Sequence, residues 1–81
     1  MSTNFQSGAD IRSCRKANQM NQTEFWQRIG LTQSAGSRYE NDRDIPEPVR
    51  MLLILAYGNS VQADMMFDEL RDWKRSYRHA A

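Results

Sequence analysis

The chain has little of what catalysis or metal binding requires. It contains one cysteine and one histidine among 81 residues, so it forms no internal disulfide and offers no cluster of zinc ligands. His79 is the only histidine, and it lies near the carboxyl end with no nucleophile placed beside it. A glycine-rich phosphate loop is also missing. We therefore expect no enzymatic activity, no metal and no cofactor.

Long apolar segments are missing as well. The longest apolar run, residues 51–57, is far too short to span a bilayer, and residues 1–8 are polar. The lone Cys14 fits a reducing compartment. We expect a cytoplasmic protein with no membrane partner and no evident small-molecule ligand. A single domain of this length has a small core, and such domains often gain stability by dimerising.

Charge of one sign is not in excess either, because the net charge is only +1. Residues 1–43 hold six basic and four acidic side chains, whereas residues 44–81 hold five and six. These counts give +2 for the first part and −1 for the second. A nucleic-acid site would therefore depend on locally placed arginines rather than on a basic field over the whole molecule.

Residues 21–40 predict two short helices joined by a tight turn. Asn21 is a good N-cap, and Glu24 stands three residues later, where its carboxylate reaches back to the cap N–H. Gly30 follows the first helix at the position that favours a left-handed conformation. Thr32 then caps a second helix that runs to about Glu40. Two helices so closely connected cross steeply, which is the geometry of a helix-turn-helix.

Three further helices are predicted around this unit, which makes the chain an all-α protein with five helices. One follows the N-cap Ser7, one begins at Pro46 and ends before Gly58, and one covers residues 60–78. The expected organisation is a flexible arm over residues 1–6, a helix-turn-helix domain over 7–58 and a C-terminal helix over 59–81.

The order of these residues resembles the Cro/C1-type (XRE-like) repressor family. The similarity covers residues 11–58, and its matching positions are Ile11, Arg12, Arg15, Gln22, Gly30, Gln33, Ser34, residues 37–41 and Pro46. The resemblance implies a lambda-repressor-like, five-helix DNA-binding fold. It also implies that Arg15 pairs with Glu40 and so ties the first helix to the recognition helix. Two solvated charges are the alternative.

The chain departs from this family at two positions. The family usually has a small residue where this chain has Trp26 and a branched aliphatic residue where it has Gly36. We hypothesise that the indole fills the space vacated at Gly36, so that the two residues are in contact. Gly36→Ile alone should then destabilise the fold, whereas Gly36→Ile with Trp26→Ala should recover.

If the two-helix unit docks as its relatives do, the start of the second helix faces base edges in the major groove. The expected base-reading residues are Gln33, Ser34, Ser37 and Arg38. Gln33 is the best candidate, because an amide pairs bidentately with adenine. A glutamine after a capping threonine is equally a good helix start. The expected phosphate contacts are Asn21, Gln22, Asn41 and Arg43.

The last predicted helix carries an apolar stripe with four-three-four spacing, formed by Met66, Leu70, Trp73 and Tyr77. The stripe is consistent with packing onto the domain, but the small core cannot easily cover all of its large apolar residues. We expect part of it to form a homodimer contact.

Together these features predict a homodimeric transcriptional regulator, most simply a repressor, that binds a palindromic operator in double-stranded DNA. One alternative is an antitoxin or another protein-interaction module whose stripe covers a toxin. A second alternative is the controller protein of a restriction-modification operon.

Overall fold

The computed structural model describes residues 5–74. These residues form five helices and no strand: α1 Gly8–Ala17, α2 Gln22–Gln27, α3 Gln33–Glu40, α4 Glu47–Tyr57 and α5 Ser60–Arg71. Helix α3 packs against both α2 and α1, while α4 packs against α5. The all-α, five-helix architecture predicted from the sequence is confirmed. The predicted last helix reaches residue 78, but residues 75–81 lie outside the described part.

Side chains at the helix starts set most of the helix boundaries. Ser7 and Asp10 form a capping box at α1, and Asn21 and Glu24 form another at α2. Thr32 caps α3 by accepting a hydrogen bond from the Ala35 N–H at 3.1 Å. Helix α5 begins with a third capping box, which joins Asn59 and Gln62 and was not anticipated from the sequence.

The core lies where α1, α2 and α4 converge. Its buried apolar residues are Phe5, Ile11, Phe25, Trp26, Val49 and Leu53. The Phe25 and Tyr57 rings stack with centroids 4.0 Å apart, and the Tyr57 hydroxyl donates to the Phe25 carbonyl at 2.6 Å. This pair joins α4 to the helix-turn-helix unit.

The expected flexible arm over residues 1–6 is wrong at Phe5. This ring is buried in the core, and its carbonyl accepts a hydrogen bond from Arg50 Nε at 3.3 Å. The burial of a large aromatic ring, together with an anchored carbonyl, fixes the chain before α1 begins. Residues 1–4 lie outside the described part of the chain. Across residues 5–74, no helix is both long and apolar enough to cross a membrane.

Candidate nucleic-acid interface

The turn between α2 and α3 projects the start of α3 from the domain. Gly30 takes the left-handed conformation, with φ +82°, and Leu31 N–H donates to the Trp26 carbonyl at 3.0 Å. A side chain at Gly30 would be strained by this backbone conformation alone. Thr32 then caps α3, and Gln33 and Ser34, which follow it, are both exposed. The helix therefore presents its first turn to solvent.

The four residues expected to read bases lie along one side of α3. Gln33, Ser34 and Arg38 are exposed, whereas Ser37 is half-buried. Positions three and four residues apart are neighbours on a helix, so Ser34, Ser37 and Arg38 share one face and Gln33 adjoins it. The arrangement suits a helix that lies lengthwise in a groove.

The four residues expected to meet phosphates have different surroundings. The Asn21 side chain caps α2, and the Asn41 amide donates to the Ser37 carbonyl at 2.8 Å. Gln22 is half-buried and bonded to other side chains of the domain. Arg43 is exposed and borders a surface groove of about 300 Å³ that Arg38 also lines. Of these four residues, only Arg43 combines a positive charge with exposure.

Glu40 lies at the centre of a buried polar cluster beneath this surface. Its side chain is only 1% exposed. Arg15 donates to both carboxylate oxygens, with Nε–Oε2 and Nη2–Oε1 distances of 3.0 Å. The structure thus brings together the two residues that the resemblance pairs, and α1 is joined to the end of α3.

Two further donors complete the Glu40 cluster. The Trp26 indole N–H donates to Oε2 at 2.9 Å, and the Gln22 amide donates to Oε1 at 3.3 Å. Burial raises the pKa of Glu40, but the hydrogen bonds from Arg15, Trp26 and Gln22 outweigh it and hold the pKa below its ordinary value. The carboxylate is therefore charged at neutral pH.

The sequence reasoning missed the donors Trp26 and Gln22. A signal was present for the first, because Trp26 was expected to lie against Gly36 and a buried indole N–H needs an acceptor. For Gln22 no signal was available, since its role depends on the angle at which α2 and α3 cross. A third contact was also missed: the Arg12 guanidinium donates to the Glu40 carbonyl at 2.5 Å.

Trp26 and Gly36 are in close contact, and both are buried. A Cβ added at Gly36 would overlap three atoms of the Trp26 ring. The absence of a side chain at position 36 is therefore what lets the indole lie between α2 and α3 and reach Glu40.

Comparison with known protein families identifies the family of the segment that contains α2 and α3. Residues 12–56, more than half of the chain, match the RsaL-like HTH domain family. The chain belongs to this family. No curated protein and no solved structure matches it.

Membership of the RsaL-like family confirms the helix-turn-helix fold and supports a DNA-binding transcription regulator. This family match does not show that the chain is of the Cro/C1 type that its sequence resembles. The matched segment of the RsaL-like domain includes α2, the turn and α3, and therefore every base-reading candidate.

Outside the matched segment, α5 and the residues just after it leave apolar side chains in solvent. Met66 is half-buried, Leu70 is 40% exposed and Trp73 is 54% exposed. Tyr77, the fourth residue of the expected stripe, lies outside the described residues. Other large apolar side chains are also exposed on α4 and α5, namely Leu52, Val61, Met65 and Phe67.

Proposed function

We propose that this RsaL-like protein is a homodimeric transcriptional regulator, most simply a repressor, that binds a palindromic operator through α3. The observation that carries the proposal is the exposed first turn of α3, a helix whose other end is held in the domain by buried Glu40. A helix with polar side chains at its exposed start fits the major groove. We expect the protein to act in the cytoplasm, where operator DNA is accessible to it.

In this proposal, Gln33 reads an adenine and the neighbouring Ser34, Ser37 and Arg38 contact adjacent base edges or phosphates. Docking in the manner of Cro/C1-type repressors places Arg43 beside the sugar-phosphate backbone. Asn21, Gln22 and Asn41 would support that contact from their positions near the ends of α2 and α3. Phosphate contacts set the register of the complex, whereas Gln33 supplies sequence preference.

The exposed apolar side of α5 supports a homodimer. Leu70 is 40% exposed and Trp73, just after α5, is 54% exposed, as expected of residues that a partner covers. Acidic residues are concentrated before Leu70 and basic ones after it, with Asp72 the exception. Two α5 helices packed antiparallel about a two-fold axis would therefore place the acidic part of one helix beside the basic end of the other. A dimer of this kind reads half-sites about one helical turn of DNA apart.

Selection of bound sequences from a random duplex pool, combined with sedimentation of the free protein, tests the proposal. We expect an enriched palindrome and a dimeric protein. Gln33→Ala should relax preference at one or two base pairs per half-site, by about 1–3 kcal/mol. If this variant binds every sequence as the wild type does, the docking assignment is wrong.

The dimer surface has a matched control on the same helix. Leu70 and Val61 are nine residues apart, about two and a half helical turns, so they face opposite sides of α5. We expect Leu70→Glu to give a monomer and Val61→Glu, at a position 67% exposed, to leave the dimer intact. A folded monomeric wild type that enriches no sequence would instead support an antitoxin-like interaction module.

A further inference from the structure

A groove of about 300 Å³ lies between α3 and the loop that leads from α3 to α4. Its walls combine basic, acidic and apolar side chains, which come in equal number from the helix and from the loop: Ala35, Arg38, Tyr39, Arg43, Asp44 and Pro46. Sites for small molecules begin at about this volume and pair an apolar lining with a few polar groups. The groove therefore has the size and the lining of a small-molecule site.

The basic side chains of the groove have no counter-charge in the domain. Arg38 and Arg43 are both exposed, and within residues 5–74 no ion pair joins either of them to a carboxylate. Asp44 lines the same groove, so two guanidinium groups and one carboxylate leave it a net charge of +1. The groove therefore favours an anion of low charge.

A carboxylate is the anion that suits two arginines beside an aspartate. The guanidinium group is planar and offers parallel N–H donors that match the two oxygens of a carboxylate. Arg38 belongs to α3 and Arg43 to the loop, so a carboxylate held by both would join the two walls of the groove. Asp44 repels further negative charge, which disfavours a phosphate monoester, with about −1.5 to −2 near neutral pH.

The apolar part of the groove suits a flat ring. Tyr39 is half-buried, and the centroid of its ring lies 5.8 Å from that of the buried Trp26 ring, which supports it from inside. Pro46 supplies a second apolar ring from the loop. An aromatic ligand would bury apolar surface against Tyr39 and Pro46. The Asp44 carboxylate only accepts hydrogen bonds, so it complements a hydroxyl donor on the ligand.

We propose that this groove binds a small aromatic carboxylate bearing a hydroxyl group, and that the bound molecule displaces operator DNA. Arg38 and Arg43 hold the carboxylate. Tyr39 and Pro46 cover the ring, and Asp44 accepts a hydrogen bond from the hydroxyl. The displacement of DNA rests on the proposed function, because it requires Arg38 and Arg43 to contact DNA, whereas the binding of the carboxylate does not. No sequence motif indicates such a ligand, since the groove exists only where the loop folds against α3.

Titration of the full-length protein with para-hydroxybenzoate, followed by amide NMR spectra at constant ionic strength, tests the binding site without DNA. We expect saturable shifts at groove residues such as Ala35 and Asp44. Arg38→Gln and Arg43→Gln should each weaken binding by about 10- to 100-fold, as expected for the loss of a hydrogen bond between charged groups. Lys16→Gln is the matched control, because it removes one positive charge from an exposed position on α1 outside the groove, and it should leave binding unchanged.

Four related compounds separate the parts of the proposed ligand. Acetate lacks the ring and para-hydroxybenzyl alcohol lacks the charge, so neither should saturate the groove over the same range of concentration. Benzoate lacks the hydroxyl and should bind about 3- to 10-fold more weakly, a difference that Asp44→Ala should abolish. Phenyl phosphate should bind more weakly than benzoate, and Asp44→Ala should strengthen its binding more than that of benzoate.

Competition with DNA tests the second part of the proposal. At saturating para-hydroxybenzoate and constant ionic strength, we expect the wild type to bind its selected duplex about 5- to 150-fold more weakly, the usual range of coupling between two ligands. The same concentration of acetate should leave the affinity for DNA unchanged. Circular dichroism melts show whether each variant is folded.

The outcomes separate this inference from the proposed function. Saturable binding that Arg38→Gln and Arg43→Gln weaken and Lys16→Gln does not, together with release of the duplex, supports the inference. If the protein selects a palindrome but para-hydroxybenzoate gives no saturable shifts in the groove, or if acetate matches it, the groove proposal is overturned and the proposed function stands. If the carboxylate binds but leaves DNA binding unchanged, its role in releasing DNA is overturned.

Two other results are equally decisive. Phenyl phosphate binding more tightly than benzoate would overturn the assignment of the groove to carboxylates. If the protein selects no duplex at all, the proposed function fails, and the titration without DNA still decides whether the groove binds the aromatic carboxylate.

Discussion

The contact between Trp26 and Gly36 predicts a substitution whose effect changes sign. In the wild type, Gly36→Ala places a Cβ against the fully buried indole. Overpacking of this kind costs about 1–3 kcal/mol, whereas the change from glycine to alanine inside a helix gains about 1 kcal/mol. The overlap involves three ring atoms, so strain should dominate and the net change should be a loss of up to about 2 kcal/mol.

The same substitution should stabilise the protein once the indole is removed. Trp26→Ala alone should cost about 3–5 kcal/mol, because it leaves a cavity and also removes the indole donor to Glu40. In that background the added Cβ meets no ring, and Gly36→Ala should gain about 1 kcal/mol. Gly36→Ile, which fills more of the vacated space, should recover more stability.

Urea and thermal unfolding followed by circular dichroism measure this double-mutant cycle. In a domain of this size, about 1 kcal/mol corresponds to a shift in Tm of about 4–8 °C, so the reversal of sign is resolvable. Ser34→Ala, an exposed position on the same helix, should have the same small effect in both backgrounds. Trp26→Leu, which removes the ring but keeps an apolar side chain, is a milder alternative to Trp26→Ala in this cycle. Equal losses from Gly36→Ala with and without the indole would refute the reasoning.

Three further predictions concern the ends of α3 and the residues around it. A Cβ at Gly8 would lie 2.5 Å from the Glu40 carbonyl oxygen and 2.7 Å from the Tyr39 carbonyl oxygen. Gly8→Ala should therefore lower the free energy of unfolding in urea by about 1–3 kcal/mol. An unchanged urea midpoint would contradict this packing. The pKa of Glu40 in the folded protein is lowered from its ordinary value of 4.5. The ionised carboxylate therefore stabilises the fold in full above pH 4.5, and this stabilisation is lost as the pH falls through the lower pKa of the folded state. The Trp26 indole N–H resonance should therefore stay constant down to pH 4.5 and shift only below it, and a midpoint at or above 4.5 would refute the assignment. Arg43→Ala should weaken binding to all duplexes alike and reduce the salt slope by about 1, whereas a sequence-dependent loss would place Arg43 at a base edge.

Much of the fold could be predicted because local rules set the helix boundaries. The caps Ser7, Asn21 and Thr32 and the left-handed Gly30 are where the sequence predicts them, since capping and turn chemistry depend on residues three or four positions apart. The helix-turn-helix is built almost entirely from such local signals. Its family match is to the RsaL-like domain and not specifically to the Cro/C1 type that the resemblance suggested.

Features that depend on distant residues could not be predicted in the same way. Phe5 precedes the first cap and looks like part of a polar arm, yet α4 supplies Arg50 to bind its carbonyl and a core in which its ring is buried. The hydrogen bonds from Gln33 to Gln22 and from Gln22 to Glu40 likewise join residues brought together only by the crossing of α2 and α3. Hydrogen-bond partners of this kind follow from tertiary geometry rather than from spacing along the chain.

The contrast between the two tryptophans has a spectroscopic consequence. Trp26 is enclosed in the core and bonded to a carboxylate, whereas more than half of the Trp73 surface is open to solvent. Their emission should therefore differ, with Trp26 blue-shifted and protected from aqueous quenchers and Trp73 red-shifted and readily quenched. A single chain thus contains separate optical reporters, one for the integrity of the helix-turn-helix unit and one for the solvent exposure of the surface beside α5.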